Sequence, residues 1–266
     1  MELLEYPQKI LSNLNIIWTF LLLIVRYTGL LACLPGIGMG ERGLAVRIPA
    51  IIVLAFASTG AGQYATFPND WALMIIAAGS EFLLGFMMGM IPLLVVAGIE
   101  GAGHLSSINM GLGAAQLFDP TTNASVSSVE RILGDLTVLI FLALGGHHIV
   151  IHAVAGLGGT IVPGTFGITE NSISLLIDRS ADIFRVCVLV AAPCVTALLL
   201  TQFVMGLITK AVPTVNVMIV SFPITICIGL AITLLSLPEI FNFAEHEISG
   251  IENAVIVVSH DTATKQ

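Results

Sequence analysis

The sequence predicts an all-α integral membrane protein built from about six apolar helical blocks, with broken helices and hairpins. Three observations predict it. Of its 266 residues 56% are hydrophobic and only 10% are charged; a soluble domain carries about 25% charged residues. Mean hydropathy is +1.01, and apolar stretches recur near the roughly 20 residues that cross a bilayer. We expect one membrane-embedded domain over residues 1–266 with an acidic tail at about 244–266.

The blocks fall at about 14–34, 44–67, 71–98, 132–153, 183–209 and 211–238. Block one holds a single charge, Arg26, and closes on Pro35-Gly36, a tight turn. Pro68-Asn69-Asp70 separates blocks two and three. Residues 99–128, rich in Gly, Ser and Asn, read as a long connector, and 154–182 as a second. Ser127 followed by Glu130 has capping-box spacing, so a helix is expected to start there. Across 186–238 the only formal charge is Lys210, and Pro193, Gly206, Pro213, Pro223 and Gly229 interrupt the apolar run. Such breaks survive at membrane depth only where protein or a water-filled cavity covers them.

Net charge −8 excludes nucleic acid as a partner, since that binding rests on clustered Lys and Arg. Cys33, Cys187, Cys194 and Cys227 sit in apolar segments without C-x-x-C spacing and read as small buried hydrophobes. The acidic N-terminus lacks the basic start of a signal peptide, so the first block is expected to stay uncleaved. Six simple spans would set Arg42, Arg47, Arg131 and Lys210 against Lys9, Arg179, Arg185 and Lys265. The positive-inside rule then gives no orientation. Either nine basic residues are too few to count, or several blocks are re-entrant hairpins against partner subunits.

A central Arg costs about 2.5–3.5 kcal/mol on insertion scales, so Arg26 should face protein or water. Asn15, Thr19, Arg26, Gly29 and Cys33 share one arc at 100° per residue, the composition of an interhelical face. Glu81, Gly85 and Gly89 are spaced i, i+4, i+8 and include a GxxxG. That pattern fits close helix packing with a bonded carboxylate, and less well a proton relay, which would want a second acid. His147, His148 and His152 lack a further ligand nearby in sequence, so no metal is expected. No nucleophile elbow, H-E-x-x-H or P-loop occurs; we expect no enzyme, catalytic residue or cofactor. In 99–128, glycines allow sharp turns while Met110, Leu112, Leu117 and Phe118 supply bulky apolar side chains. Such a loop either closes a conduit as a hydrophobic constriction or folds against a partner.

The chain resembles the R-type subunits of the flagellar type III export apparatus (the FliR family), relatives of the T-type subunits of virulence secretion. The resemblance rests on Arg26 followed by Leu34-Pro35 and Arg47, and on Glu81 with Gly85 and Gly89. It continues through Asn109, Met110, Gly111 and Leu112 leading to Asp119-Pro120, through Gly146-His147-His148, and through Ala211 to Pro223, including Pro213 and Asn216. It covers most of 14–243. It implies a non-enzymatic export gate in the bacterial inner membrane at the flagellar basal body. P-type and Q-type subunits would join it in a helical, tapered pore that passes unfolded flagellar proteins. It also implies a pore-plugging loop at Asn109, Met110, Gly111, Leu112, Gly113, Leu117 and Phe118, with Met110 and Phe118 as the candidate seals. Packing would fall to Arg26, Pro35, Glu81, Gly85, Gly89, Asp119, Pro120, Pro213, Asn216 and Pro223. The acids from Glu239 to Glu252 form a solvated end or a dock for the B-type switch subunit; lipid is the remaining partner. The rival reading is a secondary transporter with discontinuous helices, which should show paired breaks in two related halves. The breaks here cluster toward the C-terminus.

Overall fold

The computed structural model describes residues 2–36, 43–60, 64–112, 128–155, 162–167, 170–212 and 217–263. All described regular structure is helical: α1 Glu2–Cys33, α2 Gly43–Thr59, α3 Trp71–Met110, α4 Ser128–Ala143, α5 Gly146–Val154, α6 Glu170–Ala211 and α7 Val217–Ala263. Among the described residues four of these, α1, α3, α6 and α7, are long and apolar enough to cross a bilayer. A fifth span arises if α4 and α5, bent by 65° at their junction, count as one. At 17 residues, α2 is a short apolar helix, at the lower limit for spanning.

The chain divides into two compact units, one of residues 1–93, 141–179 and 248–266, the other of 94–140 and 180–247. In the first, α1 packs on α2 and α5, burying Leu22, Leu23, Tyr27, Leu30 and Leu31. The Tyr27 and Ser58 hydroxyls bond across α1 and α2. The Leu34 N–H donates to the Leu30 carbonyl at 3.0 Å; Pro35, buried, cannot continue the helix, and Gly36 turns the chain at φ 87°. The second unit centres on Val95, Val96, Ile99, Leu133, Cys194 and Leu198.

Several boundaries differ from the sequence reading, each for a physical reason. Block two ends its helix at Thr59, and 64–68 has no regular structure and is tied to α1 where Ala65 N–H donates to Thr19 Oγ1 (2.8 Å) and Phe67 N–H to Asn15 Oδ1 (2.9 Å). Residues 99–110 are the last turns of α3, not connector. Gly101 and Gly103, which read as loop formers, sit at close helix contacts, tight at Gly101 and without space for a side chain at Gly103. A Cβ on Gly103 would lie 2.7 Å from the Glu130 Cα, and one on Gly101 3.1 Å from Cys187 Sγ. The second connector is shorter than expected because α6 starts at Glu170, whose carboxylate suits a helix N-terminus.

Pro193 lies inside α6, and Pro223 and Pro238 inside α7. Gly206 and Gly229 are likewise helical, so none of these interrupts its helix. The bend occurs instead at Gly145, left-handed at φ 73°, where Gly146 is pressed on the Phe141 ring. Only Cys194 of the four cysteines is buried; Cys33 and Cys187 are half-buried, and Cys227 is exposed on α7, which turns most of its surface outward. Residues 244–263 continue α7, with Ala244, Ile248 and Ile251 buried.

Candidate functional site

In the first unit, Arg26 on α1 and Glu81 on α3 meet. Both are fully buried. Arg26 Nε donates to Glu81 Oε2, and Nη1 donates to the Val154 carbonyl at the end of α5, 2.9 Å away. Glu81 Oε1 accepts the Gly164 N–H at 2.7 Å. Gly164 takes φ 84°, a conformation that favours glycine. Four segments therefore converge on one ion pair. Arg26 Nη2 has no partner among the described residues. A buried ion pair gains little net stability, but a buried charge left alone is costly, so this arrangement fixes register more than it adds free energy.

Glycines bring the helices close enough for that pair. A Cβ on Gly85 would run into the Arg26 carbonyl oxygen, and one on Gly29 into the Phe82 carbonyl oxygen. On Gly89 it would sit 2.6 Å from the Leu30 carbonyl oxygen and 3.1 Å from Cys33 Cβ. The stripe of Asn15, Thr19, Arg26, Gly29 and Cys33 thus faces α3 and the segment 64–68. Trp18 meets Phe67 edge-on at 5.9 Å.

In the second unit α3 ends at Met110. Gly111 N–H donates to the Ile108 carbonyl (3.0 Å) and Leu112 N–H to the Ser107 carbonyl (3.2 Å), with Gly111 left-handed at φ 84°. Met110 is fully buried against Gly229 of α7, and Phe222 covers Gly111. Gln202 Nε2 donates to the Asn109 carbonyl (3.1 Å) and Thr225 Oγ1 to the Met110 carbonyl (3.0 Å). A cavity of about 380 Å³ borders this place, lined also by Ile108, Met205 and Gly206.

Met110, which the sequence reading set among the loop's apolar tips, is therefore a buried helix terminus. Asn109 and Leu112 are half-exposed beside it, and Pro223 is an exposed residue of α7. Gly113, Leu117, Phe118, Asp119, Pro120, Pro213 and Asn216 lie outside the described residues. The His147 and His148 rings lie 4.0 Å apart between centroids, tilted by 38°, and His152 is exposed. Among the described residues no three His, Cys, Asp or Glu side chains converge as a metal cluster would require.

Sequence reasoning missed Val154, Gly164, Gln202 and Thr225; it read Gly229 as a helix break, and Phe222 only as part of the 211–223 stretch. Val154 and Gly164 act through backbone atoms, which leave no side-chain signature, although Pro163-Gly164 is a turn signal. Gln202 was legible as the only amide side chain in the run between Arg185 and Lys210.

The sequence model of the bacterial export proteins, family 1, matches residues 17–251. The chain is 29% identical over 240 residues to the flagellar biosynthetic protein FliR of Pectobacterium carotovorum subsp. carotovorum, covering 88% of each. To FliR of Escherichia coli (strain K12) it is 26% identical over 230 residues, covering 86% of this chain and 88% of that one. To the Yop proteins translocation protein T of Yersinia pestis it is 22% identical over 211 residues, 77% and 80% of the two chains. The match spans both the Arg26–Glu81 pair and the end of α3, and the chain belongs to the bacterial export proteins, family 1.

Proposed function

We propose that this chain is the R-type subunit of a flagellar type III export gate in the bacterial inner membrane, at the flagellar basal body. It builds, with P-type and Q-type subunits, a helical pore for unfolded flagellar proteins, and it performs no catalysis itself. The observation that carries this reading is similarity to flagellar biosynthetic proteins FliR along nearly the whole chain. The second support is physical. The most apolar windows of α1 and α3 are 50% and 61% buried within the chain, those of α6 and α7 only 28% and 17%. Phe184, Phe203, Leu234 and Leu235 stand exposed. Helices of that kind need neighbours, and subunits of similar character, with lipid around them, supply them.

In this reading residues 109–118 form the gating segment and Phe118 is the candidate seal. The Arg26–Glu81 pair, with Pro35, Gly85 and Gly89, holds the packing that the assembly rests on; Asp119, Pro120, Pro213, Asn216 and Pro223 contribute packing against other subunits. The acidic stretch from Glu239 forms a solvated end, with docking of the B-type switch subunit as the alternative. Native mass spectrometry after co-expression with the P-type and Q-type subunits tests the proposal. A stable complex containing this chain in a minority of copies supports it. A chain that purifies alone, folded and monodisperse under the same conditions, overturns it.

A further inference from the structure

An α-helix leaves its last four carbonyls without partners in the helix. In α3 these belong to Ser107, Ile108, Asn109 and Met110, and each is satisfied from a different source. Two are closed locally by the N–H groups of Leu112 and Gly111, the pairing that a left-handed glycine after the helix permits. The other two reach across the unit to Gln202 on α6 and Thr225 on α7.

Apolar contacts reinforce the same point. The Met110 side chain fills the space that Gly229 leaves: a Cβ there would sit 2.5 Å from Met110 Cγ and 2.7 Å from its Cε. The Phe222 ring lies on Gly111, where a Cβ would come within 2.7 Å of Cε1. Thr225 has one hydroxyl proton and three carbonyls in reach, Met110 at 3.0 Å, Ser221 at 3.0 Å and Phe222 at 3.1 Å. Its bond to α3 is exchangeable, while the Met110–Gly229 fit is steric.

We infer that Gln202, Phe222, Thr225 and Gly229 form a seat for the end of α3, and that they are positioning residues for the segment that leaves it after Leu112. Met110 is the anchor of that segment, not its seal. The positioning role rests on the assignment of the segment to gating made above; the seat itself rests on the contacts alone. It places the control of the segment's starting point on two helices about 90 to 120 residues further along the chain.

Hydrogen exchange of the peptide covering 107–112, read by mass spectrometry in the assembled complex, tests the seat. Losing one or two net hydrogen bonds raises local opening about tenfold, so Gln202→Ala with Thr225→Val should speed exchange at Gly111 and Leu112 by that order. Gly229→Leu should speed it further by expelling Met110. Adding Met110→Ala to Gly229→Leu refills the socket and should restore protection. Unchanged exchange in these variants, or no rescue in the double variant, overturns the seat. Solute leak measured on the same complexes should rise and fall with exchange; exchange that rises without leak overturns the positioning role. Exchange is read whether or not the segment gates anything. A failure of the gating assignment, seen as unaltered conductance after deletion of 113–118, is therefore separable from a failure of the seat.

Discussion

Arg26 and Glu81 lie 55 residues apart in the chain and form an ion pair with neither side chain exposed to any degree. Each also bonds a backbone group, the Val154 carbonyl and the Gly164 N–H. Removing one charge leaves the other buried and alone, a loss of about 3–5 kcal/mol. Glu81→Gln keeps an oxygen for Gly164 but strands the guanidinium, so it should strongly lower the thermal midpoint of the detergent-solubilised complex. Combining it with Arg26→Met removes the stranded charge and should recover most of the loss. A double variant as unstable as the sum of the singles would mean that the two groups are not coupled.

Gly85 and Gly79 lie on the same helix and make opposite predictions. A Cβ at Gly85 collides with the Arg26 carbonyl of α1, whereas at Gly79 nothing lies within 4 Å. Gly85→Ala must push the helices apart, and overpacking of this kind costs about 1–3 kcal/mol. Gly79→Ala should be neutral or stabilise by roughly 0.4–1 kcal/mol through lower backbone entropy in the unfolded chain. Unfolding midpoints of the two variants, measured side by side, check this. Equal effects would mean that the close crossing of α1 and α3 does not limit stability.

What the sequence revealed and what it hid follow from how each interaction is encoded. The spacing of Glu81, Gly85 and Gly89 is local, so their common face was readable. That Arg26 should find a protein partner followed from the cost of a lone charge. Which partner it finds depends on how the chain folds back, and no local pattern carries that. Backbone partners such as Val154 and Gly164 are hidden for a different reason, since every residue owns the same groups. The glycines misled at 101 and 103 because glycine serves both turns and close crossings. The prolines misled at 193 and 223 because proline removes only its own N–H from the ladder, and both helices run through them with the rings exposed.

The outward face of α6 and α7 makes the third prediction. Phe203 and Leu235 are 65% and 79% exposed, on the two least buried of the four long apolar helices. In the proposed assembly, neighbouring subunits cover part of this face. Cysteines placed at 203 and 235 should be labelled readily by an apolar reagent when the chain is made alone. Co-expression with the P-type and Q-type subunits should protect at least one of them severalfold. Equal labelling of both with and without the partners would place this face against lipid and remove it from the interface.

The fourth prediction separates anchor from seal. Residues through Gly111 are held by α6 and α7, and Leu112 by Ser107, so deleting 113–118 removes the segment beyond the anchor while sparing the contacts that hold α3. Assembly with the P-type and Q-type subunits should persist. The assembled complex should then conduct small ions and leak small solutes, since a hydrophobic constriction excludes water only while its bulky side chains are present. Phe118→Ala should leak less than the deletion, because the bulky Leu117 side chain stays in the proposed gating segment. Single-channel recording on reconstituted complexes measures both. Conductance unchanged by the deletion, in a complex shown to be intact, would assign these residues to packing and move the seal to another subunit.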